Sequence, residues 1–320
     1  MAHRGMVNCT AVANASSSTE QLPPFALVLV GAVGTLTAPA WMGATPERAV
    51  IAADTTPLHV TLTSLRRNII SANGGDSSWD IFVHNWQPQL ASEFRRVLQT
   101  EQMVAATFEH NSPYEEALAG LFQPSSNPNG NGAPWPQASF GLSLSKGAML
   151  VLQHVAQRRA GVPYHRVVLS RPDILLDTPL SLLGVPCPGQ GVVLTNHHPS
   201  KHGLKGDFYF VLPPDEKQAL LRAFARLSFT AAREKIPLEN HIWIERTLKA
   251  SVTSAAGLSL RSAGGAQTAG NDVEVFRKLL ESPIGCRGFG HFHALYGMEE
   301  SEWRRLERLP ARRWRCPSDM

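Results

Sequence analysis

Arg171, Pro172 and Asp173 form the segment of the sequence whose chemistry is easiest to define. They directly follow residues 165–170, a mostly apolar run that is typical of a buried strand. The proline ends such a strand and restricts the turn that carries the two charged side chains. A guanidinium suits phosphate oxygens, and a carboxylate suits a metal ion or a sugar hydroxyl. The alternative interpretation is an ion pair that only caps the end of the strand.

Two further acidic residues stand at the boundaries of predicted elements. Asp207 opens a predicted strand, 207–212, and Glu239 begins a predicted helix. Glu239 could deprotonate an acceptor hydroxyl as a general base, or its charge could simply favour the helix N-terminus. The segment 196–202 contains three histidines, but their irregular spacing defines no metal geometry, and a solvated loop is the favoured interpretation.

The remaining candidates lie at the ends of two earlier predicted strands. Gly31 and Gly34 resemble part of a dinucleotide-binding fingerprint, although the third glycine and the following helix are missing. His84 and Trp86 end the second strand, where the indole could stack on a base or simply pack against the core. A Rossmann-type methyltransferase using the two glycines is therefore one alternative. No Gly-x-Ser-x-Gly elbow and no Walker lysine loop is present.

A strand–helix–strand pattern predicts where these candidates lie. Residues 25–31 form a continuous apolar run, 61–72 have helical periodicity, and 79–84 again indicate a strand. This pattern predicts a parallel sheet with right-handed crossovers. Ligands bind at the carboxyl ends of such strands, so we expect Gly31 and residues 84–86 on the ligand side.

The rest of the chain extends the same alternation within one domain. Further helices are predicted at 92–104, 142–159, 213–227 and 238–250, and further strands at 165–170, 191–195 and 207–212. We predict a disordered leader at 1–24 and a single catalytic domain at 25–300, followed by a charged C-terminal helix or tail at 301–320. Within the domain, 122–137 is predicted to be a loop insertion and 254–270 a loose loop.

Composition and charge exclude several classes of protein. The 320 residues are 43% hydrophobic and 18% charged, as expected for a globular protein. The net charge is +4, and the basic residues near the end of the chain are interleaved with acidic ones. They form no dense basic stripe, so a nucleic-acid partner is not expected. No apolar run approaches the roughly 18 residues of a membrane span. The four cysteines are scattered, which argues against structural zinc and leaves a disulfide open.

The expected cellular location depends on whether an anchor segment precedes this sequence, which the sequence leaves open. The first residues contain no apolar core of a signal peptide, so the cytoplasm is the default expectation. Asn8 and Asn14 occupy glycosylation sequons, and these would matter in the Golgi or secretory lumen if an upstream anchor is missing.

The order of these segments resembles a diffuse group of glycosyltransferases found in algae, bacteria and large viruses. The resemblance spans about residues 25–250 and rests on the order of the motifs. These are the strand 25–31, the helix 64–70, the aspartate-led strand 80–86, a Ser/Lys-led helix at 143–148, a strand entering an Arg-x-Asp turn at 164–173, Asp207-Phe208 and Glu239.

The resemblance implies a GT-A-like, Rossmann-like α/β fold with a mixed, mostly parallel sheet flanked by helices. It also implies a nucleotide-sugar donor and transfer to a hydroxyl of a glycan, lipid or protein acceptor. The implied donor-binding residues are Gly31, His84, Trp86, Lys146, Arg171 and Asp173, and the implied catalytic residues on the acceptor side are Asp207 and Glu239.

Two departures from the family pattern keep alternatives open. Asp173 is the implied ligand of Mn²⁺ or Mg²⁺, but a full Asp-x-Asp motif is absent, so metal dependence stays open. In the family, the first strand is usually followed by a Gly-x-x-Arg turn, but residues 31–34 of this sequence contain no arginine. The rival expectation is a catalytically inactive sugar- or nucleotide-binding protein of the same fold.

Overall fold

The protein is described by a computed structural model that covers most of the expected domain. The described residues are 23–33, 56–98, 102–122, 135–176, 179–180, 182, 192–197, 205–212, 217–238, 242–251, 259–262 and 273–275. The strands are β1 Phe25–Gly31, β2 Trp79–Asn85, β3 Met103–Phe108, β4 Arg166–Ser170, β5 Ile174–Leu176, β6 Val192–His197, β7 Lys205–Leu212, β8 Ser259–Ser262 and β9 Val273–Val275. The α-helices are α1 Thr56–Leu65, α2 Ala91–Leu98, α3 Ser112–Leu118, α4 Trp135–Arg158, α5 Lys217–Ala225, α6 Leu227–Arg233 and α7 Ile242–Ser251.

A mixed, mostly parallel sheet forms the centre of the fold. Its strand order is β3-β2-β1-β4-β7-β6-β8, and every neighbouring pair is parallel except the two that involve β7. Strands β5 and β9 form a separate antiparallel pair. The predicted α/β class with a mostly parallel sheet is therefore confirmed. Because β7 runs against the other strands, its first residues lie at the edge where those strands end.

Helices cover both faces of the sheet and explain the continuous apolar run of β1. Every residue of β1 is buried. Val28 and Val30 belong to a core cluster that includes residues of α4, α5, α6 and α7. Leu27 and Leu29 belong to a second cluster that includes residues of α1 and α2. A strand buried on both faces has no polar side to alternate with, which is why the sequence signal was a run of apolar residues.

Several element boundaries differ from the sequence predictions, and three of them bear on the sheet and the helix that follows β1. The first helix begins at Thr56 and ends in a π-helical turn, Arg66–Ile70. The predicted helix 92–104 ends at Leu98, and Met103 already begins β3. Most β3 side chains are only half-buried, so this edge strand shows no clear hydrophobic alternation. Residues 259–262, predicted within a loose loop, form β8 by backbone pairing with β6.

Helix α4 is longer than predicted, and it includes Gly141 as a packing residue. It begins at Trp135, inside the predicted loop 122–137. A Cβ at Gly141 would overlap the indole of Trp243 on α7. Gly141 therefore allows close helix contact and does not end the helix. The rest of that loop, the leader before residue 23 and the predicted C-terminal helix lie outside the described residues.

A buried polar cluster closes the amino edge of the sheet. Asp80 accepts hydrogen bonds from the Tyr164 hydroxyl at 2.5 Å and from Arg159 Nη1 at 3.4 Å. The Arg159 guanidinium also lies 3.9 Å above the Tyr164 ring. Burial, and then the hydrogen bond to Asp80, raise the pKa of Tyr164, so its hydroxyl remains a donor. Since ligands bind at the opposite edge of such sheets, this cluster serves stability.

None of the described helices has the length and apolar character needed to cross a membrane.

The contact between α4 and β1 predicts a stability effect. A Cβ at Gly147 would lie 2.5 Å from Val30 Cγ1 and 2.9 Å from Val28 Cγ1. Overpacking of a core costs about 1–3 kcal/mol, and alanine regains about 1 kcal/mol of helix propensity. Because both contacts would be shorter than 3.0 Å, we expect the upper half of the resulting range, with Gly147→Ala lowering the free energy of unfolding by about 1–2 kcal/mol in urea titrations.

Gly120 provides the control, because a Cβ there meets no atom within 4 Å. Gly120→Ala should leave the unfolding free energy within about 0.5 kcal/mol of the parent protein. Equal stability of the two variants would show that α4 does not approach β1 this closely.

Candidate functional site

The carboxyl ends of four parallel strands form one edge of the sheet. Gly31 at the end of β1 pairs with Asn85 at the end of β2, which in turn pairs with Phe108 of β3. Ser170 ends β4, which is the neighbour of β1 on the side opposite to β2. Gly31 has φ 109°, a backbone conformation that side-chain-bearing residues rarely adopt. The chain therefore turns at the edge where the sequence placed the ligand.

A chain of hydrogen bonds runs through the interior from Gly31 to Glu109. The Gly31 N–H donates to Ser143 Oγ at 2.6 Å. Ser143 Oγ lies 2.7 Å from His84 Nδ1, and His84 Nε2 lies 2.9 Å from Glu109 Oε1. His84 and Ser143 are wholly buried. The chain thus joins β1, β2, α4 and the residue after β3.

The protonation state of His84 determines which group donates and which accepts in each hydrogen bond of this chain. Burial lowers the pKa of His84 to about 4, so the ring is neutral at pH 7 and has one N–H. The Glu109 carboxylate can only accept, which places that N–H on Nε2. Nδ1 must then accept from the Ser143 hydroxyl. Gly31, Ser143 and His84 therefore each donate a hydrogen bond to the next group in the chain, which ends at Glu109.

Glu109 is also held by two groups at its more exposed side. Lys146 Nζ donates to Glu109 Oε1 at 2.5 Å and to the Tyr114 hydroxyl at 2.7 Å. The Tyr114 hydroxyl donates to Glu109 Oε2 at 2.9 Å. Burial alone would raise the pKa of Glu109, but hydrogen bonds from His84, Lys146 and Tyr114 hold it below its ordinary 4.5.

Lys146 remains a cation because its hydrogen bonds stabilise the charged form. Burial alone would lower the pKa of Lys146, but its hydrogen bonds to Glu109 and Tyr114 raise it above its ordinary 10.5. The side chains of Glu109 and Lys146 are 26% and 30% exposed. The hydrogen-bond chain therefore begins at a buried backbone amide and ends in a partly exposed ion pair.

Helix α4 positions two members of this cluster. Ser143 and Lys146 are three residues apart and so share one side of the helix. Side chains of a helix lean toward its N-terminus, which in α4 lies at the carboxyl edge of the sheet. The close approach permitted by Gly147 brings this side of α4 onto β1 and β2.

His84 and Trp86 lie in the protein interior, where Trp86 packs as its alternative interpretation expects; the predicted binding roles of both residues stay predictions. Trp86 is 5% exposed, and its ring packs against His84 at 4.5 Å and Tyr114 at 5.6 Å between centroids. Its indole N–H donates to Ser139 O at 3.2 Å. Ser139 belongs to the part of α4 that the sequence predictions missed, so the covering of Trp86 could not be foreseen.

Arg171 and Asp173 bind each other. Arg171 Nε donates to Asp173 Oδ1 at 2.8 Å, and Nη2 donates to Oδ2 at 2.6 Å. The side chains are 13% and 4% exposed. This is the ion pair of the alternative interpretation, and it occupies both oxygens that were predicted to bind metal. Among the described residues, no group of three His, Cys, Asp or Glu could hold a metal ion.

The strand register places the backbone of Asp207 level with the turn that carries this ion pair. Tyr209 of β7 pairs with Ser170, and β7 runs antiparallel to β4. Asp207, two residues before Tyr209, is therefore level with the turn that follows β4. The side chain of Asp207 lies outside the described part of the structure, as does the whole of Glu239. Their predicted catalytic roles stay predictions.

Gln87 holds the chain that leaves β1. The Val33 N–H donates to Gln87 Oε1 at 2.6 Å, and Gln87 Nε2 donates to Val33 O at 3.1 Å. The Gln87 N–H in turn donates to Asn85 Oδ1 at 2.8 Å. This amide clamp fixes the chain two residues after Gly31, and Gly34, the second glycine of the predicted turn, lies outside the described residues.

The sequence reasoning missed Glu109, Tyr114 and Ser143 as site residues. Glu109 and Tyr114 were overlooked because the predicted helix 92–104 extended into β3 and no strand was predicted at 103–108, so nothing marked residue 109 as following a strand. Ser143 was recognised only as part of a helical motif. A strand prediction for 103–108 would have placed Glu109 beside His84.

The buried imidazole predicts a pH dependence of stability. The pKa of His84 is about 4 in the folded protein and 6.5 ordinarily, so between these values the unfolded chain binds one more proton. Stability should therefore fall as pH drops from about 6.5 to about 4, by at most about 1.4 kcal/mol per pH unit from this group. His84→Gln should show a shallower dependence in urea unfolding measured at several pH values.

The control for this experiment is His110→Gln, which changes an exposed histidine. It should retain the dependence of the parent protein. A His84→Gln variant whose stability changes with pH as steeply as the parent's would show that His84 is not buried as a neutral ring.

No protein-family model matches this sequence, and no curated protein matches it. The site is therefore defined by the geometry of its own residues.

Proposed function

We propose that the protein is a glycosyltransferase that moves a sugar from a nucleotide-sugar donor to an acceptor hydroxyl. The observation that carries the proposal is the position of the Arg171–Asp173 turn beside Gly31. Ser170 is paired with Leu29, so the two strand ends are adjacent. The mixed, mostly parallel sheet with helices on both faces is also the architecture that the family resemblance implies.

The strand order supports a ligand at this position. From β1 the chain continues to β2 and β3 on one side, and β4 then returns to the other side of β1. The order of the strands reverses between β1 and β4. In open α/β sheets, ligands bind outside the carboxyl ends of the strands at such a reversal. Gly31 and Arg171 are the residues at this point.

The charges at the reversal suit a diphosphate leaving group. As the bond from the sugar carbon to the diphosphate oxygen breaks, negative charge develops on that oxygen, and a fixed cation lowers the barrier. Arg171 supplies the cation, and Asp173 fixes the orientation of its guanidinium. A divalent metal at Asp173 would lie beside the Arg171 guanidinium, whose positive charge repels it, so we propose that the guanidinium provides this charge itself.

Asp207 and Glu239 are the proposed bases on the acceptor side. As the acceptor oxygen forms its bond to the sugar carbon, its proton passes to a carboxylate, and the bonding electrons leave with the nucleoside diphosphate. The position of the Asp207 backbone next to residues 171–173 supports Asp207 for this step.

The same ion pair favours a second candidate, an inactive protein that binds sugars or nucleotides. Both oxygens of Asp173 already accept from Arg171, so a ligand must compete with an internal partner. Such a protein would bind the donor without transferring or releasing its sugar.

Calorimetric titration with uridine and guanosine diphosphate sugars, with and without Mn²⁺, tests the proposal. We expect wild-type binding without Mn²⁺ and a loss of about tenfold or more in Arg171→Ala, since hydrogen bonds to charged groups are the stronger kind. Asp173→Asn should weaken binding less, because the guanidinium remains but is less firmly held.

Arg96→Ala serves as the charge-matched control, because Arg96 forms an exposed ion pair with Glu93 on α2. Its affinity for the donor should equal that of the parent protein. Absence of donor binding, or unchanged binding in Arg171→Ala, would contradict the proposal. Binding without release of free sugar or transfer to any acceptor would identify the inactive alternative, and binding of S-adenosylmethionine instead would support the methyltransferase.

A further inference from the structure

We propose that Glu109 and Lys146 form a saccharide subsite, in which they bind two adjacent hydroxyls of one sugar ring. The inference rests on the proposed transferase function and adds residues that the donor motifs do not include. It concerns the partly exposed end of the hydrogen-bond chain that begins at Gly31.

Glu109 has one acceptor position left for a ligand. A carboxylate offers about four lone-pair positions. Oε1 accepts from His84 and Lys146, and Oε2 accepts from Tyr114. No other described residue donates to Glu109, and its side chain is 26% exposed. A ligand hydroxyl can therefore donate to Oε2 without displacing any partner.

Lys146 has one donor left beside this acceptor. An ammonium group carries three N–H donors, and two of them bind Glu109 and Tyr114. The side chain is 30% exposed, and no further described residue accepts from it. One free donor and one free acceptor side by side match two neighbouring sugar hydroxyls, of which one accepts and the other donates.

The buried groups behind the subsite hold it in one geometry. Tyr114 bridges Glu109 and Lys146, and its ring lies 4.1 Å from Lys146 Nζ. His84, wholly buried, binds Glu109 on one side and Ser143 on the other. His84 and Ser143 are therefore positioning residues, since neither can reach a ligand. A preorganised pair of polar groups loses little conformational freedom when a sugar binds.

The adjacent hydroxyls could belong to the donor sugar, to the ribose of the nucleotide or to an acceptor glycan. A panel of probes separates these sources. It comprises uridine diphosphate glucose, guanosine diphosphate mannose, the two nucleoside diphosphates, their 2′,3′-dideoxy analogues, and methyl glucoside and methyl mannoside.

The test compares the full-length protein with Glu109→Gln across this panel by titration calorimetry or NMR. We expect about tenfold or greater loss of affinity for the probe that carries the bound hydroxyls, because a charged acceptor is lost. Affinity for the dideoxy diphosphates, which lack the ribose diol and any sugar, should not change. Lys146→Met should likewise weaken binding of the diol-bearing probe. Thermal unfolding of each variant verifies that it is folded.

Glu245→Gln is the matched control, since Glu245 is 22% exposed and pairs with Lys249 on α7. It should bind every probe as the parent protein does. Equal affinity of Glu109→Gln and wild type for all diol-bearing probes would overturn the subsite. So would a wild-type protein that binds the dideoxy diphosphates but gains nothing from a sugar or ribose, and that result would leave the proposed function intact. If wild type binds no probe at all, the subsite and the proposed function both fail.

Discussion

The hydroxyl of Ser143 connects the elements that meet at the carboxyl edge of the sheet. It accepts from the Gly31 N–H at the end of β1 and donates to His84 at the end of β2, and it belongs to α4. This contact requires α4 to lie very close to the sheet, which the missing side chain of Gly147 permits. Buried polar groups are stable only when each finds a partner, and this chain satisfies every member from Gly31 to Glu109.

Two polar clusters lie between the sheet and the segment of α4 and the residues that follow it, and they differ in exposure. At the amino edge of the sheet, Asp80, Tyr164 and Arg159 bind one another, and all three are buried. At the carboxyl edge, the cluster reaches the surface through Glu109 and Lys146. Both clusters join the helix to the sheet. The second also presents a carboxylate and an ammonium group to solvent, so chemistry is expected at that edge.

Both charged pairs at the carboxyl edge are electrically balanced. Arg171 is neutralised by Asp173, and Lys146 by Glu109. A ligand meets each cation beside its carboxylate and must match the directions of the donors and acceptors that remain. A nucleotide-sugar carries both kinds of group, phosphate oxygens and sugar hydroxyls, and this is why we propose it as the ligand.

The sequence alone determined the strands at the centre of the sheet, and it predicted the edge of the sheet at which a ligand would bind. The apolar runs of β1, β2 and β4 are strong local signals, because a strand covered on both faces needs apolar side chains at every position. Parallel pairing of β1 and β2 then placed Gly31 and His84 at one edge. The tertiary structure alone decided what these residues contact. The half-buried edge strand β3 has no distinct local pattern, and contacts such as Gly31 with Ser143 join residues 112 positions apart. Burial of His84, the pairing of Arg171 with Asp173 and the position of Glu109 depend on how helices pack on the sheet, and local sequence patterns do not encode such packing.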